Sequence, residues 1–221
     1  MVSKPITICI AGNMASGKTT FARLLGECYT SACYVPEPSE ANPFLPLYLQ
    51  NQVRWGFTAQ LRYFWDYVRV FKETTAQQHY HYHFVDAGQW TNRFVYLPYL
   101  HESRIITADE YAFYLMLCDT IEQAQAVPEP QGFIFIDSSP LTCWQRMHQR
   151  GWHYQVTAVE LSYIEALDRH IETMKQNLII QNMPVLTLSS EEIDYLSDVG
   201  RREALDRVQG FLEVHHLAHP H

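Results

Sequence analysis

Residues 5–20 read PITICIAGNMASGKTT, and no other stretch limits the fold as far. A β-branched apolar run ends in Gly12. Four residues later come Gly17, Lys18 and Thr19, the G-x-x-x-x-G-K-[ST] spacing of a phosphate loop placed between a buried strand and a helix. Each residue type has a physical task. The glycines let the backbone curl so that its N–H groups point inward at phosphates. The helix opening near Gly17 adds the positive end of its dipole. Lys18 neutralises the β- and γ-phosphates, and the Thr19 hydroxyl can ligate Mg²⁺. The candidate nucleotide site is therefore Gly12, Asn13, Met14, Ala15, Ser16, Gly17, Lys18, Thr19 and Thr20, with ATP and Mg²⁺ as the expected cofactors.

The remaining chain alternates short apolar runs with helical periodicity. Strands are expected at 5–11, 32–35, 82–86, 133–137 and 184–188. Helices are expected at 17–29, 43–49, 52–72, 90–101, 107–126, 140–150, 157–180 and 191–214. Strands separated by helices predict an α/β fold, a parallel sheet covered on both faces. At 221 residues the chain is expected to form one domain, with at most a small lid at about 146–156.

A net charge of -8 argues against an extended nucleic-acid surface. The five cysteines are odd in number and contain no C-x-x-C pair, so they read as thiols of a reducing compartment. No run approaches the ~18 apolar residues of a membrane span. These features together predict a soluble cytoplasmic protein.

Several constellations carry potential chemistry. Glu37, flanked by Pro36 and Pro38, and Asp86 each end a strand, and in a parallel sheet their carboxylates converge beside the γ-phosphate. One could accept a proton from an acceptor hydroxyl while the other holds the metal; alternatively, each caps the helix that follows. Arg146 and Arg150 lie four apart before Gly151, where they could close over a transferring phosphoryl group or form a solvated basic face. His79, His81 and His83 alternate with tyrosines, a spacing that suits a metal in principle but fits an ordinary polar strand approach better. His215, His216, His219 and His221 read as a frayed end. Trp55, Phe57, Trp65, Tyr67, Trp90 and Tyr96 make an aromatic middle, most of it expected in the core, on which a nucleobase pocket could also draw.

With these motifs in order, the chain resembles the deoxynucleoside kinase family over about residues 5–190. The resemblance rests on Gly12–Thr20, on Val35-Pro36-Glu37-Pro38 with Asn42-Pro43-Phe44-Leu45, on Arg54-Trp55-Gly56-Phe57-Thr58-Ala59-Gln60, and on the lid-like run from Arg146 to Gln155. It implies the P-loop NTPase fold, a five-stranded parallel sheet flanked by helices with a helical lid, often dimeric. It also implies transfer of phosphate from ATP to the 5′-hydroxyl of a deoxynucleoside, so the expected partners are a nucleoside-like small molecule and a second copy of the chain. By the match, Glu37 is the general base, Gln60 the base-reading amide, and Arg146 and Arg150 the lid arginines; on the reading of the residues themselves, Asp86 is the metal holder with Thr19. Trp55, Tyr67, Asn92 and Tyr96 join Gln60 as candidate substrate contacts.

The acceptor side departs from the family pattern. Asp86-Ala87-Gly88 stands where the family has Asp/Glu-Arg-Ser, and Trp152 replaces a lid arginine. Without gaps, the tyrosine that holds the sugar 3′-hydroxyl falls on Leu49, and its glutamate partner on Gln155. The arginine and aspartate that help read the base fall on Tyr67 and Asn92. An aromatic that packs on the base falls on Ala59, opposite Tyr96. Two other readings stay open from the residues alone. One is a kinase of the same fold acting on a nucleoside monophosphate or modified nucleoside, which would draw on Arg54, Arg62, Arg69 or Arg93. The other is a regulatory nucleotide-binding protein that has lost turnover.

Overall fold

The computed structural model describes residues 4–39, 41–76 and 80–218. His79, His219 and His221 lie outside them. Five strands, β1 (Ile6–Gly12), β2 (Ala32–Val35), β3 (Tyr82–Asp86), β4 (Gly132–Asp137) and β5 (Val185–Ser189), form one all-parallel sheet in the order β2-β3-β1-β4-β5. The apolar run of β1 is central. Ile8 sits opposite Phe84 on β3, and Ile10 opposite Ile134 on β4.

Both faces of the sheet are buried because successive side chains point to opposite sides. One face carries Ile8, Ile10, Phe84, Ile134 and Ile136. It packs on Phe21 and Leu25 of α1 (Lys18–Cys28) and on Ala204, Val208 and Leu212 of α10 (Asp198–Val214). The other carries Cys9, Ala11, Val35, Val85, Phe133 and Phe135. It is covered by α3 (Gln52–Thr75), α7 (Pro140–Arg150) and α9 (Leu161–Ile180), among others. Further helices complete this layer: α2 (Leu45–Gln50), α4 (Gly88–Thr91), α5 (Leu97–Glu102), α6 (Ala108–Gln123) and α8 (His153–Val156). The described cysteines form no disulfide, and Cys28 alone among them is exposed. No helix among the described residues is long and apolar enough to cross a membrane.

Three expected helices differ from those found. The helix expected at 90–101 begins at Gly88 and is interrupted by a π-helical turn over Asn92–Tyr96 between α4 and α5. Residues 157–160 are not helical; α9 begins at Leu161 after Glu160 in an extended conformation. The helix expected from 191 begins only at Asp198. Before it, Ser189 Oγ accepts from the Glu191 and Glu192 N–H groups, and Asp194 Oδ1 accepts from that of Leu196. Such short side chains offer the backbone an alternative to the helical ladder. Ser197 then caps α10 by accepting from the Gly200 N–H.

Candidate active site

The C-terminal edge of the sheet opens into a cleft of about 640 Å³. One end is the phosphate loop. Gly12 adopts φ +147°, and a Cβ there would meet the Ile136 carbonyl oxygen at 2.5 Å, so β4 can pair alongside only a glycine. Gly17, at φ 104°, makes the left-handed entry to α1. Met14, Ala15, Ser16, Gly17, Lys18, Thr19 and Thr20 line the cleft. Asn13 does not. It braces the loop from beneath, its amide donating to the Ile164 carbonyl (3.0 Å) and to Asp168 (3.2 Å) of α9. Lys18 is buried with its ammonium donating to the Asn13 carbonyl at 2.7 Å.

The two carboxylates stand at the ends of adjacent strands. Asp86 ends β3, and Glu37 follows the end of β2 between two prolines that fix the backbone there. Neither side chain caps a helix: α4 is preceded by Ala87 and α2 by Phe44, both without side-chain caps. Asp86 Oδ2 accepts from the Thr19 hydroxyl at 2.6 Å, whereas its buried Oδ1 has no protein partner. Burial pushes the Asp86 carboxyl above its ordinary range, opposed by Lys18 and by the Thr19 hydroxyl. Glu37 lines the cleft. Burial and the neighbouring Asp86 push its carboxyl up to about 7, against the pull of Lys18 and Arg150.

A hydroxyl beside a carboxylate with one unused oxygen is a donor set that fits Mg²⁺, which takes one or two protein ligands and leaves its other positions to water and phosphate. No group of three or more His, Cys, Asp or Glu side chains is placed to hold a metal among the described residues. His83 is buried edge-on against Phe71, ring centroids 5.2 Å apart, and desolvation lowers its imidazole to about 4, so it acts as a neutral core residue.

Arg146 and Arg150 both line the cleft, with different attachments. Arg146 reaches across to the loop after β5, donating to Ser190 Oγ (2.7 Å) and the Ser190 carbonyl (2.8 Å). Arg150 donates to Gln155 Oε1 and stacks on the Trp152 ring, its Cζ 3.9 Å from the centroid.

The far end of the cleft is uncharged. Gln60 and Asn92 are buried, and the Gln60 Oε1 and Asn92 Nδ2 atoms have no protein partner. Tyr48, Tyr63, Tyr96 and Tyr163 surround them. The Tyr48 and Tyr163 hydroxyls lie 3.0 Å apart and bond each other, and burial holds both phenols well above their usual range. The π-helical turn delivers both Asn92 and Tyr96 to this end, as such turns often do at functional sites.

Two expected contacts are absent from the lining. Trp55 lies outside the cleft, stacked with Phe44 and under the Arg54 guanidinium. Tyr67 lies behind the cleft, stacked with Tyr63, its hydroxyl donating to the Asp86 carbonyl at 3.4 Å. Tyr48, Tyr63, Tyr163 and the 190–196 loop are lining residues that the motifs did not reveal. Tyr48 was within reach of the sequence, one residue from Leu49, which also lines the cleft. The arginines that a phosphorylated acceptor would draw on are engaged elsewhere. Arg62 and Arg69 pair with Asp66, Arg69 also with Glu73, Arg93 pairs with Asp119 and Glu122, and Arg54 covers Trp55.

The family model described as deoxynucleoside kinase matches residues 8–213. The chain is 26% identical to deoxycytidine kinase 2 of Gallus gallus, over 93% of this chain and 89% of that protein. It is 23% identical to the mitochondrial deoxyguanosine kinase of Xenopus laevis over the same shares. With the deoxycytidine kinase of Homo sapiens the identity is 26%, over 84% of each.

Proposed function

From the premise that the chain belongs to the deoxynucleoside kinase family, an α/β family of P-loop NTPase fold whose members phosphorylate nucleosides with ATP, we propose how this cleft divides that work. The observation that carries the proposal is the meeting of Lys18, Glu37 and Arg150 in one cleft between a phosphate loop and an uncharged pocket.

The backbone of residues 12–20, with Lys18, holds the phosphates of ATP. Thr19 and Asp86 are the residues that would hold Mg²⁺, which when bound offsets charge on the β- and γ-phosphates. The acceptor's base lies between Tyr96 and the Gln60 and Asn92 amides, and its sugar lies against Tyr48 and Tyr163. Glu37 takes the proton of the 5′-hydroxyl as that oxygen bonds to the γ-phosphorus and the bond to the ADP oxygen breaks. A carboxyl near 7 suits this role, because a base matched to ambient pH combines availability with proton affinity. Arg146 and Arg150, on the lid segment 146–156, offset the charge that develops on the phosphoryl oxygens. Engagement of the other nearby arginines outside the cleft supports an uncharged acceptor over a nucleoside monophosphate.

The reading also places the protein in the cytoplasm as a homodimer. Phe57, Leu61 and Trp65 follow one another at four-residue spacing on α3, and Trp65 is 64% exposed. Phe113 of α6 meets Phe57 with ring centroids 6.3 Å apart, and Met116 extends the apolar stripe. Such a stripe supports a second copy as its cover.

The decisive experiment supplies γ-labelled ATP with a panel of deoxynucleosides, ribonucleosides and nucleoside monophosphates. Label on the 5′-oxygen of a nucleoside is expected. Transfer only to monophosphates, or none with a well-folded protein, would overturn the proposal.

A further inference from the structure

β4 and β5 end side by side, and the segments that leave them are tied to each other. Ser190 extends the pairing, its N–H donating to the Asp137 carbonyl at 2.9 Å. Ser189 Oγ then accepts from the Glu191 and Glu192 N–H groups, at 3.3 and 3.2 Å, and turns the chain out of a helical course. That turn carries the Glu191 carboxylate back to the start of α7. Its Oε1 accepts from the Ser139 N–H at 2.8 Å and from the Ser138 hydroxyl at 3.3 Å. Ser139 caps α7, so the carboxylate also meets the positive end of an 11-residue helix. Hydrogen bonds, from the Thr142 hydroxyl first and from Ser139 next, push the Glu191 carboxyl down to about 2, so it is ionised at any working pH.

A second hold lies further along the same helix. Arg146 donates to Ser190 Oγ and to the Ser190 carbonyl, at 2.7 and 2.8 Å, and to the Ser16 carbonyl of the phosphate loop at 3.4 Å. Beyond these holds, Ile193 and Tyr195 are buried in the core around Phe21, with the Tyr195 and Phe21 rings 4.9 Å apart. Asp194 bonds the Leu196 N–H within the segment, whereas Glu191 reaches across to another element.

Residues 190–196 form one wall of the cleft. With the phosphates of ATP on residues 12–20 and the acceptor among the amides and phenols, this wall is the lining left for the donor's sugar and base. We propose that Glu191 is a positioning residue for the donor: its bonds to Ser138 and Ser139 lock the 190–196 segment onto α7 as a preset wall for the sugar and base of the nucleotide, while the phosphate loop holds the phosphates by itself. A wall fixed in advance removes an ordering cost from each binding event. The inference rests on the reading of this cleft as an ATP site.

The test compares binding of ADP and of pyrophosphate, each with Mg²⁺, by titration calorimetry in wild-type protein, Glu191→Ala and Glu191→Gln. Pyrophosphate has no sugar or base to meet the wall. Glu191→Ala is expected to weaken ADP by about five- to tenfold and to leave pyrophosphate within about twofold. Glu191→Gln, whose amide oxygen still accepts from Ser139 but carries no charge, is expected to fall between. In turnover, the KM for ATP should rise by the same factor, with kcat and the nucleoside KM unchanged within about twofold. A Glu191→Ala protein that binds ADP as wild type does overturns the inference. So does an equal loss for ADP and pyrophosphate, which would mean that Glu191 acts on the phosphate loop through α7 and Arg146. Should Glu191→Ala lose its cooperative melt, the Gln variant decides by the same two ratios. The donor reading fails separately: wild-type protein that binds neither ADP nor pyrophosphate removes that reading, and the inference with it.

Discussion

The two ends of the cleft are built on different principles. At the donor end the functional groups are charged and tied to backbone or to each other: Lys18 to the Asn13 carbonyl, Thr19 to Asp86, Arg146 to Ser190. At the acceptor end they are amides and phenols, and two buried amide atoms, Gln60 Oε1 and Asn92 Nδ2, have no protein partner. Phosphates present the same charge in every nucleotide, so their site can be fixed in advance by one motif. A base is distinguished by where its donors and acceptors lie, so its site depends on uncharged groups whose positions are set by packing.

If this division is correct, substitutions at one end should leave the other end's ligand largely unaffected. The largest effect is expected for Lys18→Ala, with loss of transfer by about a thousandfold or more and an unchanged melting curve. It should strike every acceptor equally; turnover that survives with one nucleoside but not another would break the comparison.

Glu37→Gln comes next, at about 10²–10⁴ in kcat with ATP affinity little changed. Wild-type activity should rise as pH increases through about 7. Stability should move the other way. The folded carboxyl sits near 7 against an ordinary 4.5, so between those values the folded protein binds the extra proton, and stability from this group is lost as pH rises through the folded value. Glu37→Gln should therefore melt a few degrees higher at pH 8, a gain on the order of 1 kcal/mol. Calorimetry on the two proteins at pH 6 and 8 checks the sign.

Gln60→Leu should lower kcat/KM for the nucleoside by about ten- to a hundredfold, because the base keeps a polar edge with nothing to meet it. The KM for ATP, measured alongside, should stay put. A parallel rise in both would mean the ends are coupled through more than the lid.

The smallest effect concerns the sugar. A site built to bond a hydroxyl rejects analogues without it when its own polar groups are stranded. Tyr48 and Tyr163 already bond each other at 3.0 Å, and Gln155 is engaged with Arg150, so removing the 3′-hydroxyl strands neither. A 2′,3′-dideoxynucleoside should lose less than about tenfold in kcat/KM against its 2′-deoxy parent, under ~1.4 kcal/mol. A hundredfold loss would show that the tyrosine pair opens to read the sugar.

The same contrast explains what could be read from the chain. The phosphate loop, all five strands and the placement of Glu37 and Asp86 at the ends of neighbouring strands were legible, because glycine spacing and apolar runs dictate backbone geometry locally. The aromatic residues were not separable by type alone. Trp55, Tyr67 and Tyr96 are alike in composition, yet one stacks outside, one lies behind and one lines the cleft, a choice made by tertiary packing. The 190–197 segment has helical composition but is diverted by the side chains of Ser189, just before it, and Asp194, within it, which accept from its backbone N–H groups.

The π-helical turn at Asn92–Tyr96 makes chain length a variable of the pocket. In an α-helix each residue advances the face by about 100°, so the wider turn shifts the phase of everything after it relative to a plain α-helix. Removing a single residue there would convert the turn to ordinary helix and swing either Asn92 or Tyr96 off the cleft, with no change in the identity of any remaining side chain. The acceptor pocket can therefore be reshaped by insertion and deletion as well as by substitution, whereas the phosphate loop, with its fixed count of residues between Gly12 and Gly17, has no such freedom.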